Sequence, residues 1–238
     1  MLVTDHPSYP EEKKRLKDTL NLVKESLRQN TERHERIGQS FQSKRYYKSD
    51  NSQDYIDMMI SQQIYSALSL KLRNLQAARK KPYFARIDFR EADKEYADPL
   101  YIGKVSLIEE QSQKTAIVDW RAPIANLYYE GRLGPSHYQA PGGEIPGDLL
   151  LKRQYTIDDA ELKAIYDIDI TTNDELLQTS LGANAENRLK DIVATIQEEQ
   201  NRIIRAASDV PLIVQGVAGS GKTTVALHRI AYLIYNLE

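Results

Sequence analysis

Residues 216 to 223 read Gly-Val-Ala-Gly-Ser-Gly-Lys-Thr, a G-x-x-x-x-G-K-[ST] spacing that suits the binding of nucleotide phosphates. The chemistry explains the residue types. Gly216, Gly219 and Gly221 let the backbone N–H groups of Val217, Ala218 and Ser220 turn inward around phosphate oxygens, and the start of a following helix adds partial positive charge. Lys222 is expected to reach the β and γ phosphates, while the Thr223 hydroxyl is expected to hold Mg²⁺. Thr224 follows at the junction of loop and helix and counts among the nucleotide-binding candidates. The expected ligands are therefore ATP and Mg²⁺. A chance glycine-rich turn is the bland alternative, and the flanking segments argue against it: Pro211 to Gln215 has the character of a short buried strand, and Val225 to Leu233 that of a helix.

The segments that must carry this loop fall into three parts. Residues 10–81 read as an antiparallel coiled-coil arm. Leu16, Leu20, Val23, Leu27, Asn30, His34, Ile37 and Phe41 alternate by four and three, a heptad seam whose polar Asn30 and His34 would set register at some cost in stability. A second periodic run holds Ile56, Ile60, Ile64, Ala67, Leu68 and Leu75 and ends at Pro82. Residues 82–170 change to a period of two and form a small, mostly antiparallel β unit. Its candidate strands are Tyr83 to Phe89, Tyr101 to Leu107, Thr115 to Asp119, Ala125 to Glu130, Leu149 to Thr156 and Leu162 to Ile168, with Gly134 to Gly147 as a loop. Residues 171–238 supply a helical linker, around Asn173 to Leu181 and Asn184 to Ala206, and then the first strand, P-loop and helix of a RecA-like α/β P-loop NTPase domain. The expected class is thus α+β in several parts, ending in an incomplete motor domain.

Composition excludes several other chemistries. With no cysteine there is no disulfide, thiolate metal site or cysteine nucleophile, and the four scattered histidines form no zinc-ligand spacing. The N-terminus has no apolar core of a signal peptide, and no apolar run approaches the roughly 18 to 20 residues of a membrane span. A cytoplasmic protein without a membrane partner is expected. The net charge of -2 hides an asymmetry: residues 10–81 hold 16 Lys+Arg against 9 Asp+Glu, a surplus of +7 offset by -9 elsewhere. Such an arm suits an anionic partner, and it equally suits a solvated helical face. Ala116-Ile117-Val118-Asp119 looks like an acidic Walker B strand, but it precedes the P-loop by about a hundred residues, so Asp119, Trp120 and Arg121 are expected to be a packed corner of the β unit.

The flanks of the P-loop carry a family resemblance. Glu199-Gln200-Asn201-Arg202-Ile203-Ile204-Arg205 ahead of it, and His228-Arg229-Ile230-Ala231-Tyr232-Leu233 behind it, resemble superfamily 1 helicases of the UvrD/Rep type. That resemblance implies that Gln200 reads the adenine edge. Thr224 departs from the pattern, since UvrD-type helicases usually place arginine after the Lys-Thr pair. The arm, Tyr101-Ile102-Gly103-Lys104 and Ile117-Val118-Asp119-Trp120-Arg121-Ala122-Pro123 together resemble the HelD-type, helicase IV-like branch. This implies an arm that enters the secondary channel of RNA polymerase, coupled to ATP-driven clearing of DNA or RNA. Tyr46, Tyr47, Asp50, Asp54 and Asp57 at the arm tip then become partner-binding candidates, with solvated turn residues as the alternative.

Two function classes follow. In one, the chain is the start of an ATP-dependent helicase or translocase, a hydrolase acting on ATP. In the other it is a docking module for RNA polymerase that turns over no ATP by itself, because 15 residues follow Thr223 and the groups that aim the attacking water lie elsewhere.

Overall fold

The computed structural model describes residues 3–45, 52–109, 112–168 and 199–237, and the backbone alone for residues 40–45, 52–55 and 237. The chain is α+β. Two long helices come first, α1 (Tyr9–Arg45) and α2 (Ser52–Ala78). Pro10 sits in the first turn of α1, where a missing N–H costs nothing, and Glu11 and Glu12 meet the positive end of the helix dipole. The two helices run antiparallel: Val23 clusters with Leu75 and Ala78, and farther along, the His34 ring stacks on Tyr65 at 4.1 Å between centroids. His34 Nε2 also shares a hydrogen bond with Ser69 Oγ at 2.8 Å, so one polar position of the heptad seam is met by a polar partner.

On α2 the packed face differs from the apolar run in the sequence. Leu68 and Leu75 are buried, whereas Ile56, Ile60 and Ile64 lie on the exposed side. Tyr65 and Ser69 take the face toward α1, because Tyr65 stacks on His34 and Ser69 bonds it, and this turns the isoleucines outward. Pro82 follows the helix, as expected from its missing N–H.

Seven strands follow: β1 (Ala85–Glu91), β2 (Asp98–Gly103), β3 (Leu107–Ile108), β4 (Thr115–Asp119), β5 (Gly134–Ala140), β6 (Gly143–Asp158) and β7 (Glu161–Asp167). Their order is β3-β4-β2-β1-β6-β5, with β7 also paired to β6. The sheet is mixed, since β2 and β4 run parallel.

Two of the expected β-region elements are replaced. Ala125 to Glu130, expected as a strand, holds the end of a 3-10 turn (Pro123–Ala125) and the short helix α3 (Asn126–Tyr129). Pro123 fixes the entry to this turn, and Leu127 and Tyr128 bury together on one side of it. The glycine- and proline-rich stretch 134–147, expected as a loop, is the β5–β6 hairpin, with Ala140 opposite Gly143. Here glycine marks close approach and not a break. A Cβ on Gly147 would stand 2.3 Å from the Arg90 carbonyl oxygen.

The chain divides into two compact units that are discontinuous in sequence. The first contains 1–87, 99–120 and 153–168. Its core has one cluster around Leu16, Tyr83, Tyr101, Tyr155, Ile157 and Leu162 and another around Val23, Leu75, Ala116 and Ile117. Glu12, 1% exposed, is the polar centre of this unit. It accepts hydrogen bonds from Arg86 (2.8 Å), Arg153 (2.8 Å) and the Tyr101 hydroxyl (3.0 Å), and Arg153 in turn holds Asp167. A carboxylate this deep persists only because two guanidinium groups and a hydroxyl replace its water. The network therefore ties the base of α1 to β1, β2, β6 and β7. Burial pushes the Tyr101 hydroxyl up to about 12, so it stays a donor.

The second unit contains 88–98, 121–152 and 169–238 and carries the loop at 216–223. Among the described residues, no helix is long and apolar enough to cross a membrane.

Candidate nucleotide-binding site

The P-loop begins from an extended segment. Pro211 to Gln215 has the composition of a strand but pairs with no strand among the described residues, so it lacks regular structure. Leu212 and Val214 are partly exposed, and Ile213 is 91% exposed. The expected buried strand is corrected on this point. β-branched side chains favour extended backbone, but a strand exists only through ladder partners, and the segment has none here.

Beyond it the chain turns through Val217 to Gly221 and enters helix α4 (Lys222–Leu237) at the lysine itself. Gly219 and Gly221 have φ of 81° and 82°, left-handed values that glycine adopts without strain. The Ser220 N–H donates to the Val217 carbonyl at 3.3 Å, and the Val225 N–H donates to the Gly221 carbonyl at 2.9 Å. Lys222 folds back over the loop, with Nζ donating to the carbonyls of Gly216 (2.8 Å) and Val217 (2.7 Å). Thr223 and Thr224 follow on the exposed first turn of α4, and Ala218 is exposed in the loop. The ammonium and the N-terminus of a 16-residue helix thus converge on one loop whose surface is open.

Gln200 belongs to the same neighbourhood. It lies in the helical residues 199–205, and a Cβ on Gly221 would stand 3.5 Å from its Nε2. Sixteen residues of chain separate Gln200 from Gly216, yet the fold returns the amide to the loop.

Arg229 fastens this arrangement. Its NH1 donates to the carbonyls of Ile203 (3.0 Å), Ile204 (3.1 Å) and Ala206 (2.8 Å), and its NH2 to that of Ala207 (3.0 Å). These carbonyls lie in the last turn of the upstream helix and just past it, where acceptors suit a cation. Arg229 therefore docks α4 onto the helix that carries Gln200. Its role as a cap had no signal in the sequence, because any arginine two turns into α4 would look the same.

A second arginine seats that upstream helix. Arg205 lies 5.0 Å from the Tyr232 ring centroid and 5.8 Å from that of Tyr129, and its Nε donates to Asn201 Oδ1 at 3.1 Å. Burial draws its guanidinium below the ordinary value. Asn201, 3% exposed, donates to Asn126 Oδ1 (2.8 Å) and Glu130 Oε1 (3.1 Å) on and beside α3. Arg121 stacks against Tyr235 of α4 at 4.6 Å. The Arg121-Ala122 corner and α3 are therefore the seat on which the residues around the loop rest. Asp119 ends β4, is 3% exposed, and belongs to the other unit.

The arm-tip candidates divide. Tyr46, Tyr47 and Asp50 lie outside the described residues; Asp54 is described only as α2 backbone; Asp57 is half-buried in the second turn of α2. Much of the expected helical linker, from residue 171 to residue 198, also lies outside them. Among the described residues there is no cluster of histidine and carboxylate groups able to hold a metal ion without a ligand's help.

A family model described as "DNA helicase IV HelD, N-terminal domain" matches residues 9–180. The match takes in both long helices and all seven strands and ends before the P-loop. A comparison with the curated proteins finds no match.

Proposed function

The chain belongs to the family of DNA helicase IV HelD N-terminal domains, and on that premise we propose that it is the nucleotide-binding front of an ATP-driven, UvrD/Rep-like helicase or translocase. The carrying observation is the loop at 216–223, where left-handed Gly219 and Gly221 lead directly into a helix that starts at Lys222. ATP binds with its phosphates in the loop, Lys222 on the β and γ phosphates, and Thr223 on Mg²⁺. The position of Gln200 beside Gly221 supports its reading of the adenine edge. The exposed apolar side chains of Ile213, Val217, Leu227, Ile230 and Ile234 support the further expectation that a RecA-like sheet and its helices pack here. Holding phosphates is one task and aiming a water at them is another, so the residues described here bind ATP and hydrolyse it negligibly by themselves.

A thermal-shift titration with ATP and Mg²⁺ tests this. A ligand that binds only the folded state adds about 2.7 kcal/mol at a hundred times its dissociation constant. The wild-type chain is expected to be stabilised and the Lys222→Ala chain not; equal shifts in both would refute the phosphate role.

A second reading rests on a different observation, the two antiparallel helices with their surplus of positive charge. In it the pair is a coiled-coil arm that docks in RNA polymerase, with the tip around Asp50, Asp54 and Asp57 toward the partner. Removing residues 1–81 outright would destroy the core, since Leu16, Val23 and Leu75 belong to it. Replacing residues 38–64 with a short glycine-rich turn keeps that base. Loss of polymerase capture in the shortened chain is the expected result, and undiminished capture would contradict the docking role.

A further inference from the structure

The helical residues 199–205 carry two adjacent amides with different surroundings. Asn201 is buried, and both the nitrogen and the oxygen of its side chain are engaged. Its Nδ2 donates to Asn126 Oδ1 (2.8 Å) and Glu130 Oε1 (3.1 Å), and its Oδ1 accepts from Arg205 Nε (3.1 Å). Asn126 Nδ2 donates in turn to Glu130 Oε2 at 3.0 Å, which closes a ring of hydrogen bonds joining Asn201, Asn126 and Glu130. These residues and the loop at 216–223 belong to one compact unit. Gln200 stands about 100° around the helix from Asn201. It leaves the ring for the loop, where its Nε2 is 3.5 Å from the place a Cβ on Gly221 would take.

The ring locks the rotation of the helix. Turning the helix about its axis would strip Asn201 of its partners, and a buried amide left unpaired is costly. Gln200 has a long, rotatable side chain, so its own amide is aimed only as well as the backbone beneath it is held. A hydrogen bond holds over about 2.7 to 3.2 Å, which leaves no room for a helix that rolls. Once held, an amide offers a donor and an acceptor side by side, the pair that answers adenine N7 and N6. Guanine shows two acceptors there and satisfies only half of it. We propose that Asn201 is a positioning residue for base selection: its ring with Asn126 and Glu130 holds Gln200 where it prefers adenine to guanine in a nucleotide whose phosphates lie at 216–223. This role rests on nucleotide binding at that loop. Loss of the ring falls on the base contact more than on the phosphates.

Calorimetric titration of the intact chain with Mg²⁺ and either ATP, GTP or inorganic tripolyphosphate tests this, because tripolyphosphate engages the loop without a base. The wild-type chain is expected to prefer ATP to GTP by about tenfold, the equivalent of 1.4 kcal/mol. Asn201→Asp sets a carboxylate against that of Glu130 and is expected to abolish the preference, while tripolyphosphate affinity falls far less than ATP affinity. Adding Glu130→Gln returns the net charge to that of the wild type and reverses donor and acceptor between positions 201 and 130. The double variant is expected to regain the preference. Far-UV circular dichroism checks the fold of each variant. If Asn201→Asp does not fold, Asn126→Ala carries the test: it removes one of the acceptors of Asn201 and is expected to lower the preference several-fold. A wild-type chain that binds ATP and tripolyphosphate without preferring ATP to GTP overturns the base-selection role and leaves the nucleotide site standing. A chain that binds neither refutes the nucleotide site and this role with it. Folded Asn201→Asp that keeps the preference overturns the role, as does one that loses ATP and tripolyphosphate equally, or a double variant no more selective than the single one.

Discussion

Lys222 donates to the carbonyls of Gly216 and Val217, so its ammonium is held over the loop. In the proposed ATP complex, anionic phosphate oxygens take the place of these neutral acceptors and make stronger hydrogen bonds. At the same scale, Glu12 makes a sharp prediction. Glu12→Ala leaves Arg86 and Arg153 facing an empty, buried position, and removing one partner of a buried ion pair costs about 3–5 kcal/mol. Urea denaturation should show a loss in that range without a change in m-value, and a loss below about 1 kcal/mol would contradict the network's role. Asp167 gives the pH dependence. Burial raises its carboxyl and the hydrogen bonds from Arg153 lower it, and the net is a value below the ordinary 3.8. The unfolded carboxyl therefore binds protons more readily. Its contribution is complete above the ordinary value and drains away as pH falls below it toward the folded one. Asp167→Asn should flatten that acid limb in a pH series of thermal midpoints, and an unchanged limb would contradict the assignment. At residues 216–223 the left-handed Gly219 and Gly221 and the start of α4 at Lys222 were legible, because the glycine spacing dictates that backbone. The partners of Glu12, Arg205 and Arg229 were not, since Arg153 lies 141 residues from Glu12, the Ala122 carbonyl 83 residues from Arg205, and the carbonyls that Arg229 meets 22 to 26 residues away.

Elements were legible where one local rule governs them. The heptad seam of α1 predicted a long helix, and β4 matches its expected range, Thr115–Asp119. Glycine and proline misled around residues 134–147, because the same residues serve breaks and close backbone approach, and only the neighbouring strand distinguishes them. Pro211 to Gln215 misled in the opposite sense, since strand composition without a ladder partner gives only extended chain. The helix at 199–205 yields the prediction for this scale. Arg229→Ala leaves carbonyls of Ile203, Ile204, Ala206 and Ala207 without their cation and should cost roughly 1–3 kcal/mol. Hydrogen exchange should speed up across residues 200–207 and the first turns of α4 while β1 and β6 stay protected. Uniform acceleration, or none, would show that Arg229 does not fasten the two helices.

For the whole molecule, the family match covers the helices and sheet, and the loop at 216–223 lies beyond it. The HelD-type resemblance and the family membership agree on the N-terminal region, whereas the link to an ATP motor rests on the loop, on Gln200 beside it, and on the corner at Arg121 that seats α4. The most direct measurement of that link is calorimetric titration of the chain with ATP, ADP and adenosine in the presence of Mg²⁺. The account predicts saturable binding of ATP and ADP at one site, far weaker binding of adenosine because the phosphates supply the contact, and loss of all measurable binding in Lys222→Ala. Adenosine binding as tightly as ATP, or ATP binding that survives Lys222→Ala, would contradict it.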